Sequence, residues 1–186
     1  MSAPTPTLST RVAPADHETG SPMIRLARTV LVGVAGVALA AAITPPAAAA
    51  TYYNLVNHKS GKCMSVAGGG STANGAKIVQ WTCNDKGEQL WYRVGDQLKN
   101  RKSGKCLSVS GGGSSDNGAE LVQWSCNGAF EQKWNPSDGL LINHKNGKVA
   151  SVAGGGSTAN GAKIVQWTAT GRAEQGWTFD ARVIDA

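Results

Sequence analysis

The chain repeats itself with a period of 43 residues, and that repeat constrains its fold more than anything else in the sequence. The word SVAGGGSTANGAKIVQWT occupies 65–82 and recurs unchanged at 151–168. Halfway between them, at 108–125, stands a diverged copy, SVSGGGSSDNGAELVQWS, with Ser110, Asp116 and Glu120 where the outer copies have Ala, Ala and Lys. The register extends beyond this word: NHKSGKC, NRKSGKC and NHKNGKV begin at Asn57, Asn100 and Asn143, and EQLW, EQKW and EQGW begin at Glu88, Glu131 and Glu174. Three units therefore cover about 52–94, 95–137 and 138–180. A unit of this size cannot bury an apolar face alone, so the three must share one core.

Within each unit, short β-type pieces alternate with turn chemistry. The first unit reads YNLVN, a Ser-Gly-Lys turn, CMSVA, the loop GGGSTANG, KIVQW and QLWYRV. Helical periodicity is absent, and glycine is too frequent for helices of useful length. Four strands per unit predict twelve strands in a closed, pseudo-threefold all-β domain. Blades of WD-type propellers have a similar period, but a propeller needs at least four of them.

The first 50 residues read as a targeting segment. Arg25 and Arg28 precede the mostly apolar run 30–43, and small residues at 47–50 follow, as in a secretory signal with cleavage after Ala50. The run has 14 residues, too few to cross a bilayer. The stretch before Arg25 reads as an extended n-region. The remaining residues, 51–186, suffice for one domain with its own core. Its positive charges are scattered rather than clustered, which does not signal nucleic-acid binding. After cleavage no membrane attachment is expected, and the domain is read as a secreted monomer.

Cys63 and Cys83 lie in the first unit, and Cys106 and Cys126 occupy the matching places in the second. In the third unit both places change together, to Val149 and Ala169. Joint loss favours the pairings Cys63–Cys83 and Cys106–Cys126, as oxidised bridges suited to secretion. No CxxC pair or histidine cluster supports a zinc site, and no cofactor or metal is expected. The triple glycines at Gly68, Gly111 and Gly154 are not followed by GK[ST] or a helix, so they read as flexible positive-φ turns rather than a phosphate loop.

Three tandem units with GKC or its variant, a QW strand end and a closing Q-x-W at Gln89–Trp91, Gln132–Trp134 and Gln175–Trp177 resemble the ricin B-type lectin domain. The resemblance implies a β-trefoil, a six-stranded barrel capped by three hairpins, with up to three sugar pockets. It places an aromatic platform at Trp81, Trp124 and Trp167, where an apolar sugar face can pack. Gln89, Gln132 and Gln175 match the Gln of the family's Asn-Gln pair; Glu88, Glu131 and Glu174 stand where its Asn would be, without an amide donor. The family's acidic residue, two places after the first Cys, is Ser65, Ser108 and Ser151 here, a weaker acceptor than a carboxylate. Val79, Val122 and Val165 stand where many relatives have Gln.

Trp91, Trp134 and Trp177 read as core. Strand alternation puts Val79 and Trp81 on one face, and Ile78 and Gln80 on the other. If the platform tryptophans face outward, as the resemblance implies, Gln80, Gln123 and Gln166 point inward and need buried partners. If they face inward, the glutamines become surface groups and ligand contacts. With two copies of the repeat identical, the first and third pockets are expected to share a specificity from which the second departs.

The chain is thus expected to be a secreted lectin-like domain that binds glycans or polysaccharides without catalysis. No Ser-His-Asp set or paired-carboxylate motif is apparent. Two rivals remain: an extracellular protein-binding trefoil such as a hydrolase inhibitor, and a small glycosidase using Glu88, Glu131 or Glu174.

Overall fold

A computed structural model describes residues 50–184. The expected signal segment lies outside the described residues. Twelve strands are present among them, four per unit, and their pairing closes a barrel.

Strand β1 (Ala50–Asn57) runs antiparallel to β12 (Trp177–Ile184) along its whole length and touches β4 (Leu90–Val94) through Tyr53–Trp91 and Asn54–Leu90. Strand β4 pairs with β5 (Gln97–Asn100), and β8 (Trp134–Ser137) pairs with β9 (Leu140–Asn143). The ring is completed where the Trp134 amide donates to Asp96 O at 2.8 Å and the Trp177 amide to Gly139 O at 2.7 Å. Three hairpins cap the barrel: β2 (Cys63–Val66) with β3 (Ile78–Trp81), β6 (Cys106–Val109) with β7 (Leu121–Trp124), and β10 (Val149–Val152) with β11 (Ile164–Trp167). They meet around the pseudo-threefold axis through the bridges Lys77–Val122, Glu120–Val165 and Lys163–Val79. Six barrel strands and three hairpin caps make a β-trefoil.

The core repeats five positions three times: Leu55, Leu98 and Leu141; Met64, Leu107 and Ala150; Val66, Val109 and Val152; Ile78, Leu121 and Ile164; Trp91, Trp134 and Trp177. The three tryptophans are buried as expected, and each indole N–H donates to a hairpin carbonyl, of Met64, Leu107 or Ala150, at 3.0–3.1 Å. Burial removes large apolar area from water while that one bond satisfies the only polar atom of the ring. The two expected disulfides are formed, Cys63–Cys83 and Cys106–Cys126. Each ties the start of the second strand of its unit to the segment just after the third.

The glycine runs are ordered rather than flexible. In the first unit Gly68, Gly69 and Gly70 all have positive φ (68°, 65° and 78°), forming one left-handed turn closed by the Ser71 amide on Ala67 O at 3.2 Å. L-residues with a Cβ resist this conformation. The third glycine is required twice over, because a Cβ on Gly70 would lie 2.7 Å from Glu88 Cβ and 2.8 Å from Lys102 Nζ. Lys102 donates to Gly69 O at 2.8 Å, Lys145 to Gly112 O at 2.8 Å and Lys59 to Gly155 O at 2.7 Å, so each turn is held by a lysine of the following unit, cyclically.

Candidate functional site

Each hairpin carries one surface cavity, and each cavity gathers the four residues singled out in that unit. Ser65, Trp81, Glu88 and Gln89 line the first, Ser108, Trp124, Glu131 and Gln132 the second, and Ser151, Trp167, Glu174 and Gln175 the third. The cavities have volumes of about 530, 560 and 560 Å³ in that order. Hairpin register explains the floor: Ser65 faces Val79, Ser108 faces Val122 and Ser151 faces Val165. A hydroxyl beside a valine methyl pair forms the base, the left-handed glycine turn forms one rim and the Glu-Gln pair another.

The platform tryptophans face outward, with Trp81 47%, Trp124 46% and Trp167 43% exposed. Their strand neighbours Gln80, Gln123 and Gln166 are fully buried, and the carbonyls to which they donate belong to another repeat. The Gln80 amide donates to Ser157 O at 2.6 Å and Ala159 O at 3.0 Å, and its oxygen accepts from Ser60 Oγ at 2.7 Å. Gln123 does the same with Ser71 O, Ala73 O and Ser103 Oγ, and Gln166 with Ser114 O, Asp116 O and Asn146 Nδ2. Unit one thus grips the loop of unit three, unit two that of unit one, and unit three that of unit two.

The gripped loop supports the platform. Asn160 Oδ1 accepts from the Thr82 amide at 2.9 Å, and a Cβ on Gly161 would meet Trp81 Cζ3 at 3.7 Å. Asn74-Gly75 stands in the same relation to Ser125 and Trp124, and Asn117-Gly118 to Thr168 and Trp167. The Asn-Gly pairs are therefore the backing of the neighbouring unit's tryptophan. Buried glutamines needing distant partners were the one signal in the sequence that pointed to such a grip.

Gln89 is fully buried, accepting from the Asn84 amide at 2.8 Å and donating to Thr82 O at 3.0 Å. Gln132 and Gln175 hold the equivalent loop of their units through Asn127 and Ser125, and through Thr170 and Thr168. Their side chains shape the cavity wall by fixing the segment after the tryptophan. Of the three glutamates, Glu174 is buried while Glu88 and Glu131 are half-buried.

Near the axis, Glu120 of the diverged copy lies between Lys163, 2.5 Å from its Oε1, and Lys77, 2.9 Å from its Oε2. Hydrogen bonds from Lys163 and then Lys77 hold the Glu120 carboxyl below the usual carboxylate range, and the same bond raises Lys163. With lysine at all three places, three ammonium groups would converge where the hairpins meet, and like charges at that separation repel. Glu120 in the middle copy replaces that repulsion with two ion pairs.

The first and third cavities, expected to share a specificity, differ in their lining. Each cavity is completed by the preceding repeat, so the third takes Gly118 and Glu120 from the diverged copy, the second takes Gly75 and Lys77 from unit one, and the first takes Gly161 from unit three. Identical words in the sequence do not make identical cavities when each wall has two sources. Among the described residues no group of three or more His, Cys, Asp or Glu is placed to hold a metal ion.

An exposed indole face, a small apolar floor and a carboxylate at the rim suit a flat amphipathic ligand with one apolar face and peripheral hydroxyls. The fold is a β-trefoil with three surface cavities, of the kind found in lectins. The profile of the ricin-type β-trefoil lectin domain matches residues 51–177, and the chain belongs to that family. Among solved structures, it is similar to the designed threefold-symmetric protein ThreeFoil, with 32% identity, a TM-score of 0.63, and coverage of 72% of this chain and 99% of that one. It is also similar to an exo-β-1,3-galactanase from Clostridium thermocellum, with 36% identity, a TM-score of 0.63 and 72% of this chain covered. The match spans 30% of the galactanase chain. An earthworm R-type lectin C-half in complex with GalNAc shares the fold at 16% identity and a TM-score of 0.62, over 72% of this chain and 99% of that one. No curated protein matches the sequence.

Proposed function

We propose that this chain is a secreted carbohydrate-binding protein, monomeric and without catalytic activity, that uses the three cavities as weak, cooperating glycan pockets. The observation carrying this reading is the platform: three tryptophans held nearly half exposed by buried glutamines and the Asn-Gly backing of the preceding repeat. An exposed indole has a hydration cost, and fixing it from a second repeat supports a surface kept for a ligand rather than for folding. Trp81, Trp124 and Trp167 stack the sugar. Ser65, Ser108 and Ser151, with Glu88, Glu131 and Glu174, meet its hydroxyls, and Gln89, Gln132 and Gln175 position the wall. The segment 1–50 is the secretion signal of this reading, and the two disulfides suit an oxidising compartment.

The 36% identity to the galactanase makes β-1,3-linked galactan the first polymer to examine. Three sites on one polymer chain raise avidity because later contacts become intramolecular. Affinity electrophoresis or calorimetry of the purified protein against a polysaccharide panel is expected to show retention that is lost when Trp81, Trp124 and Trp167 are all changed to Ala. Absence of binding to every glycan, together with recovery of a protein partner independent of sugar, would favour the inhibitor reading instead.

A further inference from the structure

The cyclic sharing of walls carries a consequence for specificity that the three repeats alone conceal. Glu120 lines both the second and the third cavity, and it is absent from the first. Its carboxylate is 28% exposed and held ionised between Lys77 and Lys163. Both lysines are drawn toward it, and neither lines the first cavity, which has Glu88 as its one carboxylate. The second cavity holds Glu120 with Glu131, and the third Glu120 with Glu174.

Resting on the carbohydrate reading above, we infer that Glu120 is a specificity-determining residue shared by two pockets, so that the pockets divide into a strong pair, units two and three, and a weak single, unit one. A charged acceptor makes stronger hydrogen bonds to hydroxyls than Ser65, Ser108 or Ser151 can. Glu120 therefore supplies, from the neighbouring wall, a carboxylate of the kind replaced by serine on the floor. The ligand class is a neutral sugar with adjacent free hydroxyls. Lys77 also lines the second cavity, and Lys163 and Arg172 the third, so the carboxylates there are largely balanced by cations and these cavities differ from the first in acceptor strength.

The test is a titration of the full-length protein followed by the indole N–H resonances in proton–nitrogen correlation spectra. Trp81, Trp124 and Trp167 each report one pocket, and Trp91, Trp134 and Trp177 report the core. With β-1,3-galactobiose as probe, Trp124 and Trp167 are expected to titrate together and about tenfold more tightly than Trp81, the weight of one charge-assisted hydrogen bond. E120K, which gives the middle copy the lysine of the outer two, is expected to remove that advantage. E120Q keeps the shape without the charge and serves if E120K fails to fold. Equal affinities in all three pockets, pairing of Trp81 with Trp167, or an unchanged pattern in E120Q with core signals intact would overturn the inference. If no platform indole responds to galactobiose, galactose, N-acetylgalactosamine or xylose, the carbohydrate reading itself falls.

Discussion

At the scale of single residues, the two chemistries of each QW pair have opposite destinations, and both follow from the two-residue period of a strand. Gln123 and Trp124 are adjacent, yet one is fully buried and the other 46% exposed. The glutamine does structural work, so Gln123→Ala is expected to cost about 2–3 kcal/mol by leaving Ser71 O, Ala73 O and Ser103 Oγ without their partner. Chemical denaturation measures it, and ligand affinity per folded molecule should change only to the extent that Trp124 loses its backing. Changing Trp124 itself to Ala is expected to do the reverse, abolishing one pocket while the denaturation midpoint stays nearly unchanged. Gly113 is among the glycines least open to replacement. Gly113→Ala combines a φ of 80° with a contact of 2.6 Å to Glu131 Cβ, and is expected to destabilise by about 2 kcal/mol or more. The sequence disclosed the residue types and their alternation. It did not disclose that the third glycine of each run touches the Glu before Q-x-W, because that contact depends on how the glycine turn folds back over the end of its own unit.

At the scale of elements, the three hairpins have one topology but unequal reinforcement. Hairpins β2–β3 and β6–β7 carry disulfides with a sequence separation of 20 residues, and β10–β11 has Val149 and Ala169 in their place. A bridge of that span stabilises by about 3 kcal/mol in the chain-entropy account. The third hairpin also has Ala150 where the others bury Met64 and Leu107. Amide hydrogen exchange is accordingly expected to be fastest in 149–167 and to equalise across the hairpins after reduction, with the first two rising to meet the third. Protection highest in the third hairpin would contradict this. Strand number was legible from the 43-residue period and both bridges from the joint loss of two cysteines, while the three caps came with the resemblance to the ricin B-type lectin domain. The ordered left-handed turns were not, since three glycines permit many conformations and only tertiary contacts select one.

At the scale of the molecule, the repeats form a closed cycle in which every unit is completed by another, and this is where sequence alone misleads. Identical copies at 65–82 and 151–168 leave open which unit stands beside which, and the first and third cavities accordingly differ in lining although their own repeats are identical over this stretch. The cycle also fixes a pH dependence. Because Lys163 and Lys77 lower the Glu120 carboxyl, its contribution is fully present above the ordinary carboxylate range and is lost as pH falls through the lowered value. Urea midpoints measured from pH 7 downward, below about pH 4, are expected to fall more steeply for the natural protein than for E120Q. The central claim is that three outward tryptophans, held by neighbouring repeats, bind glycan. The most direct measurement is calorimetric titration of the purified protein with β-1,3-galactan beside the triple variant Trp81→Ala, Trp124→Ala, Trp167→Ala, with folding checked by the signals of Trp91, Trp134 and Trp177. The account predicts saturable binding by the natural protein and none by the folded variant; equal binding by both would contradict it.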